Sequence, residues 1–293
     1  MKLYSPTTIS DIKARHDFKL SKSLGQNFIT DRNVIEKIVE GAQIGPEDMV
    51  IEIGPGIGVL TAEAAESAAK VVAVEIDKKL IPILGETLRE YDNVQIINQD
   101  ILKTDLNEII RERRKAQDFT GEVKIIGNLP YYITTPIVMD ILEKGVEAES
   151  ITIMMQKEVA DRISSPPGGR IYGAISVAVQ YYCQVEKIIN VSKEVFIPRP
   201  KVDSTVLRLL LRKEKPVELR DEKTFFACIK HGFGQRRKTL LNSLTGVNGL
   251  DKDGVKEALT DAGIDWMRRA ETLNINEFAD IANQVAKKTL AQE

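Results

Sequence analysis

The sequence predicts a doubly wound α/β sheet followed by a small helical domain, and three observations carry that prediction. Apolar runs of strand length recur at 49–53, 71–75, 94–98, 123–126 and 150–155. Segments of helical period stand between them, at about 59–69, 78–90, 105–115 and 133–144. From about residue 221 onward only helical signals remain. Strand, helix, strand in repeated order means parallel strands joined by right-handed crossovers, with helices on both faces. In such sheets ligands bind beyond the carboxyl ends of the strands, where the strand order reverses.

The elements follow in order. Residues 1–33 read as an irregular polar arm ending in Gly25-Gln26-Asn27-Phe28-Ile29. Residues 34–215 read as the sheet domain. Its helix at 133–144 opens on Thr134-Thr135-Pro136, a cap followed by a first-turn proline. After residue 156 a helix near 157–163 leads through Ser165-Pro166-Pro167-Gly168-Gly169 to a second near 173–183. Strands at 185–191 and 204–211 are consistent with an antiparallel pair at the sheet edge. Between them Phe196-Ile197-Pro198-Arg199-Pro200 is excluded from a central strand, because two prolines remove ladder donors. Lys213-Glu214-Lys215-Pro216 reads as a linker, and 216–293 as the helical domain.

Composition narrows the classes of function. A chain of 293 residues, 43% hydrophobic, suits one large and one small globular domain. Residues 1–22 contain no apolar stretch long enough for a signal peptide or a membrane span, so the expected location is the cytoplasm and no membrane partner is expected. Cys183 and Cys228 are the only cysteines and His16 and His231 the only histidines. That leaves no metal-ligand spacing and no Ser-His-Asp arrangement; buried, reduced thiols are expected. A net charge of −2 opposes a uniformly basic surface and permits a local one.

Two motif groups fall at strand ends. Glu52-Ile53-Gly54-Pro55-Gly56-Ile57-Gly58 follows the first strand, and glycines such as Gly54 and Gly56 let a ligand approach the backbone. The spacing G-x-G-x-G is not the dinucleotide fingerprint, and no phosphate-binding G-x-x-x-x-G-K element occurs. Glu52 would repel a pyrophosphate and suits a cationic ligand. Glu75 ends the second strand, where a carboxylate accepts from ribose hydroxyls; Asp100, just past the third, is placed to accept from an adenine amine. Each acid alone also reads as a solvated or capping group. Together they favour an adenosyl ligand without phosphates, and S-adenosylmethionine fits.

The second group is Asn128-Leu129-Pro130-Tyr131, directly after the fourth strand. Leu129 precedes proline and is pushed to an extended conformation that turns its carbonyl outward, and Pro130 has no N–H to bond it back. Asn128 offers a side-chain oxygen, Leu129 a backbone oxygen and Tyr131 a ring face, the parts needed to hold a flat base by its exocyclic amine. Phe196 reads equally as a ring for the opposite face of the base or as core. Cations at Lys223, Lys230, Arg236, Arg237 and Lys238, with no acid from 223 to 250, make a basic stretch suited to RNA phosphates, joined by Arg199 and Lys201. A solvated helix face is the plainer reading of that stretch, and Phe225, Phe226 and Phe233 read as the core of the small domain.

With these residues assembled, the chain resembles the ribosomal RNA small-subunit adenine N6,N6-dimethyltransferases, the KsgA (RsmA) family, relatives of the Erm resistance methylases. The likeness runs from Ser21 to about Ala270 and comprises Gly25-Gln26-Asn27-Phe28, the segment from Glu52 to Thr61, Asn128-Leu129-Pro130-Tyr131, the segment from Phe196 to Ser204, and Gln235-Arg236-Arg237-Lys238-Thr239-Leu240. It implies a Rossmann-like class I methyltransferase sheet with a C-terminal helical RNA-binding domain. It further implies that Asn27, Ile29, Gly54, Glu75, Asp100 and Asn128 contact S-adenosylmethionine, with the arm folded over it, and that no metal takes part. The implied partners are small-subunit rRNA and the immature small ribosomal subunit, without an obligate protein partner. The family pattern has a polar or basic residue after Tyr172-Gly173, where this chain has Ala174. DNA adenine methyltransferases commonly have Asp at the position of Asn128 and proline in place of Leu129, and this chain has neither. An Erm-like large-subunit enzyme, or a ribosome-assembly binding factor with secondary catalysis, would share most of these motifs.

Overall fold

The computed structural model describes residues 1–18, 21 and 24–290. Lys19, Leu20, Lys22 and Ser23 of the expected arm, and residues 291–293 of the expected helical domain, lie outside the described residues. The chain divides into two compact units. One comprises Met1–Ala160 with Gln184–Leu211, the other Asp161–Cys183 with Arg212–Glu293.

The first unit begins with a helix, α1 (Pro6–Arg15), where the sequence reading places an irregular arm. Pro6 occupies the first turn, and Ile9 and Ile12 are buried in a cluster with Leu80, Ile83 and Leu84. Arg15 and His16 both reach Glu86, whose carboxyl these two bonds hold below its usual range. Next come β1 (Phe28–Ile29) and a second helix without a sequence counterpart above, α2 (Arg32–Ala42). Asp31 caps α2 by accepting from Asn33 N and Val34 N, and the helix buries Val34, Ile35, Ile38 and Val39 before Gln43 ends it in the left-handed region.

The alternation expected from the sequence follows: β2 (Met49–Ile53), α3 (Val59–Ala65), β3 (Lys70–Glu75), α4 (Ile81–Thr87), β4 (Val94–Asn98), α5 (Leu106–Lys115), β5 (Val123–Asn128), α6 (Thr134–Glu143) and β6 (Ser150–Gln156). Then come α7 (Lys157–Ile163), α8 (Ala174–Tyr182), β7 (Cys183–Val191), β8 (Phe196–Ile197) and β9 (Ser204–Leu211). Among the described residues seven strands form one sheet in the order β4-β3-β2-β5-β6-β9-β7. Strands β2 to β6 pair in parallel and β9 runs antiparallel to β6. The order reverses between β2 and β5, so the switch point falls between the glycine segment and Asn128. The proline segment stays out of the large sheet; β8 pairs only with β1, Phe196 opposite Ile29.

The second unit adds α9 (Glu222–Gly234), α10 (Leu240–Leu244), α11 (Lys252–Asp261) and α12 (Ile275–Leu290). Its core holds Tyr172, Tyr181, Phe225 and Phe278, all fully buried. The sequence reading assigns 34–215 to the sheet domain, yet α8 packs in the helical unit. The cause is Tyr181, whose ring lies 5.1 Å from that of Phe225 and whose hydroxyl donates to Glu222 Oε2 at 2.9 Å. Both cysteines are free and buried, and burial pushes each thiol up to about 12. Among the described residues no helix is long and apolar enough to cross a membrane.

Candidate active site

Parallel pairing sets the strand ends side by side. Glu75 is opposite Asn98 across β3 and β4, and Glu52 is opposite Ile126, two residues before Asn128. Beyond these ends lies a cleft of about 1050 Å³, counting space open to solvent. Its lining includes Asn27, Ile29, Gly54, Gly56, Glu75, Asp100, Asn128, Leu129 and Pro130. Every residue that the sequence reading names for the cofactor therefore faces one cavity.

The glycine segment makes the floor. Gly54 and Gly56 take φ values of 67° and 62°, which L side chains rarely adopt, and a Cβ on Gly56 would stand 3.0 Å from Phe28 Cε1. Glu75 is held by backbone: Asp77 N donates to Oε1 at 2.7 Å and Gly56 N to Oε2 at a long 3.4 Å. Burial nonetheless raises its carboxyl to about 7. Asp100 accepts from Leu102 N at 3.1 Å through Oδ1, so the capping role and the cleft position coexist.

The arm is tied across both sides of the switch point. Gln26 Nε2 donates to Asp77 Oδ2 at 2.9 Å, past the end of β3. On the other side Asn128 Nδ2 donates to the Asn27 carbonyl at 2.9 Å, and Asn27 Nδ2 donates to the Gly25 carbonyl at 3.0 Å. This bond fixes which way the Asn128 amide faces. Its Oδ1 has no hydrogen-bond partner among the described residues, and the Leu129 carbonyl accepts no backbone N–H there. The next carbonyl, of Pro130, is taken by Ile133 N and by Thr134 Oγ1. Two adjacent oxygens are thus left available at the end of β5.

The aromatic assignments divide. Tyr131 is half-buried, its hydroxyl 2.6 Å from Ser204 Oγ, and it is not part of the cleft lining. The exposed ring at the mouth is the next residue, Tyr132, at 62% exposure. Phe196, which the sequence reads equally as a second platform or as core, lies on the core side in this structure. It is 3% exposed and sits in the core cluster with Ile29, Val34 and Val206, because its pairing with Ile29 turns the ring into the sheet unit. Sequence reasoning also leaves Gln26 and Tyr132 out of the site. Gln26 lies within the quoted Gly25-Gln26-Asn27-Phe28 segment and Tyr132 next to Tyr131, but their positions depend on how the arm crosses the strand ends.

The basic residues are exposed, with two distinctions. Lys230, Arg237 and Lys238 on the helical unit and Lys201 on the sheet unit are exposed, while Arg199 is ion-paired with Glu194. Arg236 instead donates from Nη2 to the Arg170 carbonyl at 2.8 Å and to the Tyr172 carbonyl at 3.2 Å. Phe226 stacks on Tyr182 and Phe233 meets Tyr172 edge-on, so these rings are core.

Comparison with known proteins agrees with this architecture. The sequence model of the family described as "Ribosomal RNA adenine dimethylase" matches residues 17–287. A protein of Alkaliphilus metalliredigens named "Ribosomal RNA small subunit methyltransferase A" is 52% identical over 289 residues, 98% of this chain and 99% of the relative. One of the same name from Clostridioides difficile is 49% identical over 287 residues, 98% of each. Among solved structures, a dimethyladenosine transferase from Plasmodium falciparum superposes with a TM-score of 0.75 at 24% identity, over 89% of this chain and 98% of that one, a likeness of fold. The 23S rRNA methyltransferase ErmE gives 0.67 at 27% identity, over 88% and 99%. Sheet order, cleft and full-length relatives agree: the chain belongs to the ribosomal RNA adenine dimethylase family.

Proposed function

We propose that this enzyme transfers methyl groups from S-adenosylmethionine to N6 of two adjacent adenines near the 3′ end of small-subunit rRNA, giving N6,N6-dimethyladenosine during assembly of the small ribosomal subunit in the cytoplasm. The observation that carries this reading is the pair of available oxygens, Asn128 Oδ1 and the Leu129 carbonyl, at the rim of a cleft lined by Glu75 and Asp100. The small-subunit target follows the names of the full-length relatives.

The residues present fit the donor. Among the described residues the lining holds Glu52, Glu75 and Asp100 and no lysine, arginine or histidine, which suits a positively charged ligand without phosphates. Glu75 would receive the ribose hydroxyls and Asp100 the adenine amine, while Gly54 and Gly56 leave room for close backbone approach. When bound, S-adenosylmethionine supplies an activated methyl group and its own leaving group. The chain has to align acceptor and donor in line.

The lone pair of an adenine amine is delocalised into its ring. Asn128 Oδ1 and the Leu129 carbonyl would each accept one N–H, pulling the nitrogen toward tetrahedral geometry with its lone pair facing the methyl group. The bond from Asn128 Nδ2 to Asn27 keeps Oδ1 in that role. After the first transfer one N–H remains, and one of the two acceptors suffices to hold it. The methylated nitrogen is acidic enough to lose its proton to water, so no strong base is required. The target must lie in a loop or be extruded from a helix, and the cations of the helical unit would engage the surrounding phosphates.

The test is incubation with labelled S-adenosylmethionine and, in parallel, undermethylated small subunits, large subunits and DNA, followed by nucleoside analysis. Dimethyladenosine in small-subunit RNA alone is the expected result. Label confined to large-subunit RNA or DNA overturns the substrate assignment.

A further inference from the structure

The cleft contains a carboxylate pair that the transfer reaction leaves unused in part. Glu52, at the end of β2, is 1% exposed and lines the cavity beside Glu75. Its Oε2 accepts from Thr61 Oγ1, and Oε1 has no hydrogen-bond partner among the described residues. Among the described residues the elements around the pair supply no balancing cation. Helix α3 offers the neutral Thr61, the end of β3 adds Asp77, the β4 end adds Asp100, β5 offers Asn128, and the arm offers Gln26, already bonded to Asp77. Lys103, 4.0 Å from Asp100 and largely exposed, is the only ion-pair partner of the three lining acids among the described residues.

Two carboxyls buried against one cavity oppose each other's ionisation. Burial, with the charge of Glu75 adding to it, pushes Glu52 up to about 8, against the lowering effect of the Thr61 bond. A buried carboxyl pair without a counter-ion favours holding a proton, which a fixed positive charge placed in the cleft would expel. A sulfonium has such a charge, and the thioether left after transfer does not; the amino-acid and adenosine parts of the two molecules are the same.

We propose that Glu52 is the residue by which the cleft tells the charged methyl donor from its neutral thioether product, the donor binding with release of a proton from the Glu52–Glu75 pair and the thioether binding without it. The inference rests on the donor assignment made above. Preference for donor over product then rises with pH, as the proton to be expelled is held less tightly.

The test is titration calorimetry with S-adenosylmethionine and with S-adenosylhomocysteine from pH 6 to 8.5, each in two buffers of different ionisation enthalpy. The ratio of donor to thioether affinity is expected to rise about tenfold across this range, the equivalent of one pKa unit, with proton release on donor binding alone. In Glu52→Gln the rise should be clearly smaller than in the wild type, and comparing the two proteins cancels the contribution of the ligands' own amino groups. Should that variant fail to fold, Thr61→Val, which strips the bond favouring the ionised form, should move the rise to higher pH. A ratio independent of pH, equal proton release with both ligands, or an unchanged rise in Glu52→Gln overturns the proposal. If neither ligand binds at any pH, the donor assignment fails first and takes this inference with it.

Discussion

The cleft and the basic surface of the helical unit use charge in opposite ways. In the cleft, carboxylates and amides are buried or half-buried and each is fixed by a short-range bond: Glu75 to backbone, Glu52 to Thr61, Asn128 to Asn27. On the helical unit Lys230, Arg237 and Lys238 are exposed, the latter two just past the C-terminus of α9, where the helix dipole also favours them. A buried, bonded group acts through its position, so single changes should have large and local effects. Exposed cations act through their sum, so each should matter little alone and more at low salt.

The strongest way to break this contrast is Asn128→Ala. Removing one preorganised acceptor should lower kcat by ~10²–10³-fold, the scale of losing one oxyanion-hole group. The thermal midpoint should change only slightly, because the lost bond to Asn27 is one half-buried hydrogen bond. Near-normal turnover would remove Asn128 from the chemistry.

Phe196 sharpens the same contrast from the structural side. As a buried ring in the sheet-unit core, its truncation to Ala should cost about 3–5 kcal/mol of unfolding free energy in denaturant titration. Phe196→Leu, which keeps most of the volume, should recover both stability and turnover. A leucine variant that is stable but slow would restore the stacking role that the buried position argues against.

The difference between the regions also explains what the sequence made legible. Strand ends are set by local apolar runs, so Glu75, Asp100, Gly54 and Asn128 were brought into one cleft by topology alone, and parallel register did the rest. The arm was not legible. Ile9 and Ile12 are too few to announce α1 by period, and its stability comes from a distant partner, α4. Tyr131 and Tyr132 show the limit within a motif, where neighbours in sequence point to different surroundings and only the tie from Tyr131 to Ser204 decides which. For Arg236, a cation in a basic run proves to be engaged with two carbonyls, which charge patterning cannot reveal.

That engagement yields a separation within the basic surface. Arg237→Ala and Lys238→Ala should weaken binding of a single-stranded rRNA fragment and make the dependence of log K on log salt shallower by about 0.7 per lost phosphate contact. Arg236→Ala should leave more of the slope intact and instead loosen the segment at 170–172 that its guanidinium holds, read as faster amide exchange there. Equal slope changes for all three cations would make the surface uniform.

The smallest expected effect concerns the frame of that surface. Asp221 caps α9, accepting from Thr224 N at 2.8 Å and Lys223 N at 3.3 Å as well as from the Thr224 hydroxyl, and these bonds hold its carboxyl below the usual range. Asp221→Ala should cost about 1 kcal/mol, the usual worth of a cap. Because the folded form favours the ionised carboxylate, the stabilisation is present above the ordinary aspartate pKa and is lost as pH falls through the lowered folded value. Denaturant midpoints of wild type and variant should therefore differ at pH 7 and converge in acid. The salt slope of RNA binding should not change at all, since the cap orders the helix that carries the cations without touching them. A changed slope would mean that the surface depends on α9 being rigid, and that buried and exposed charge are less separable than the two regions suggest.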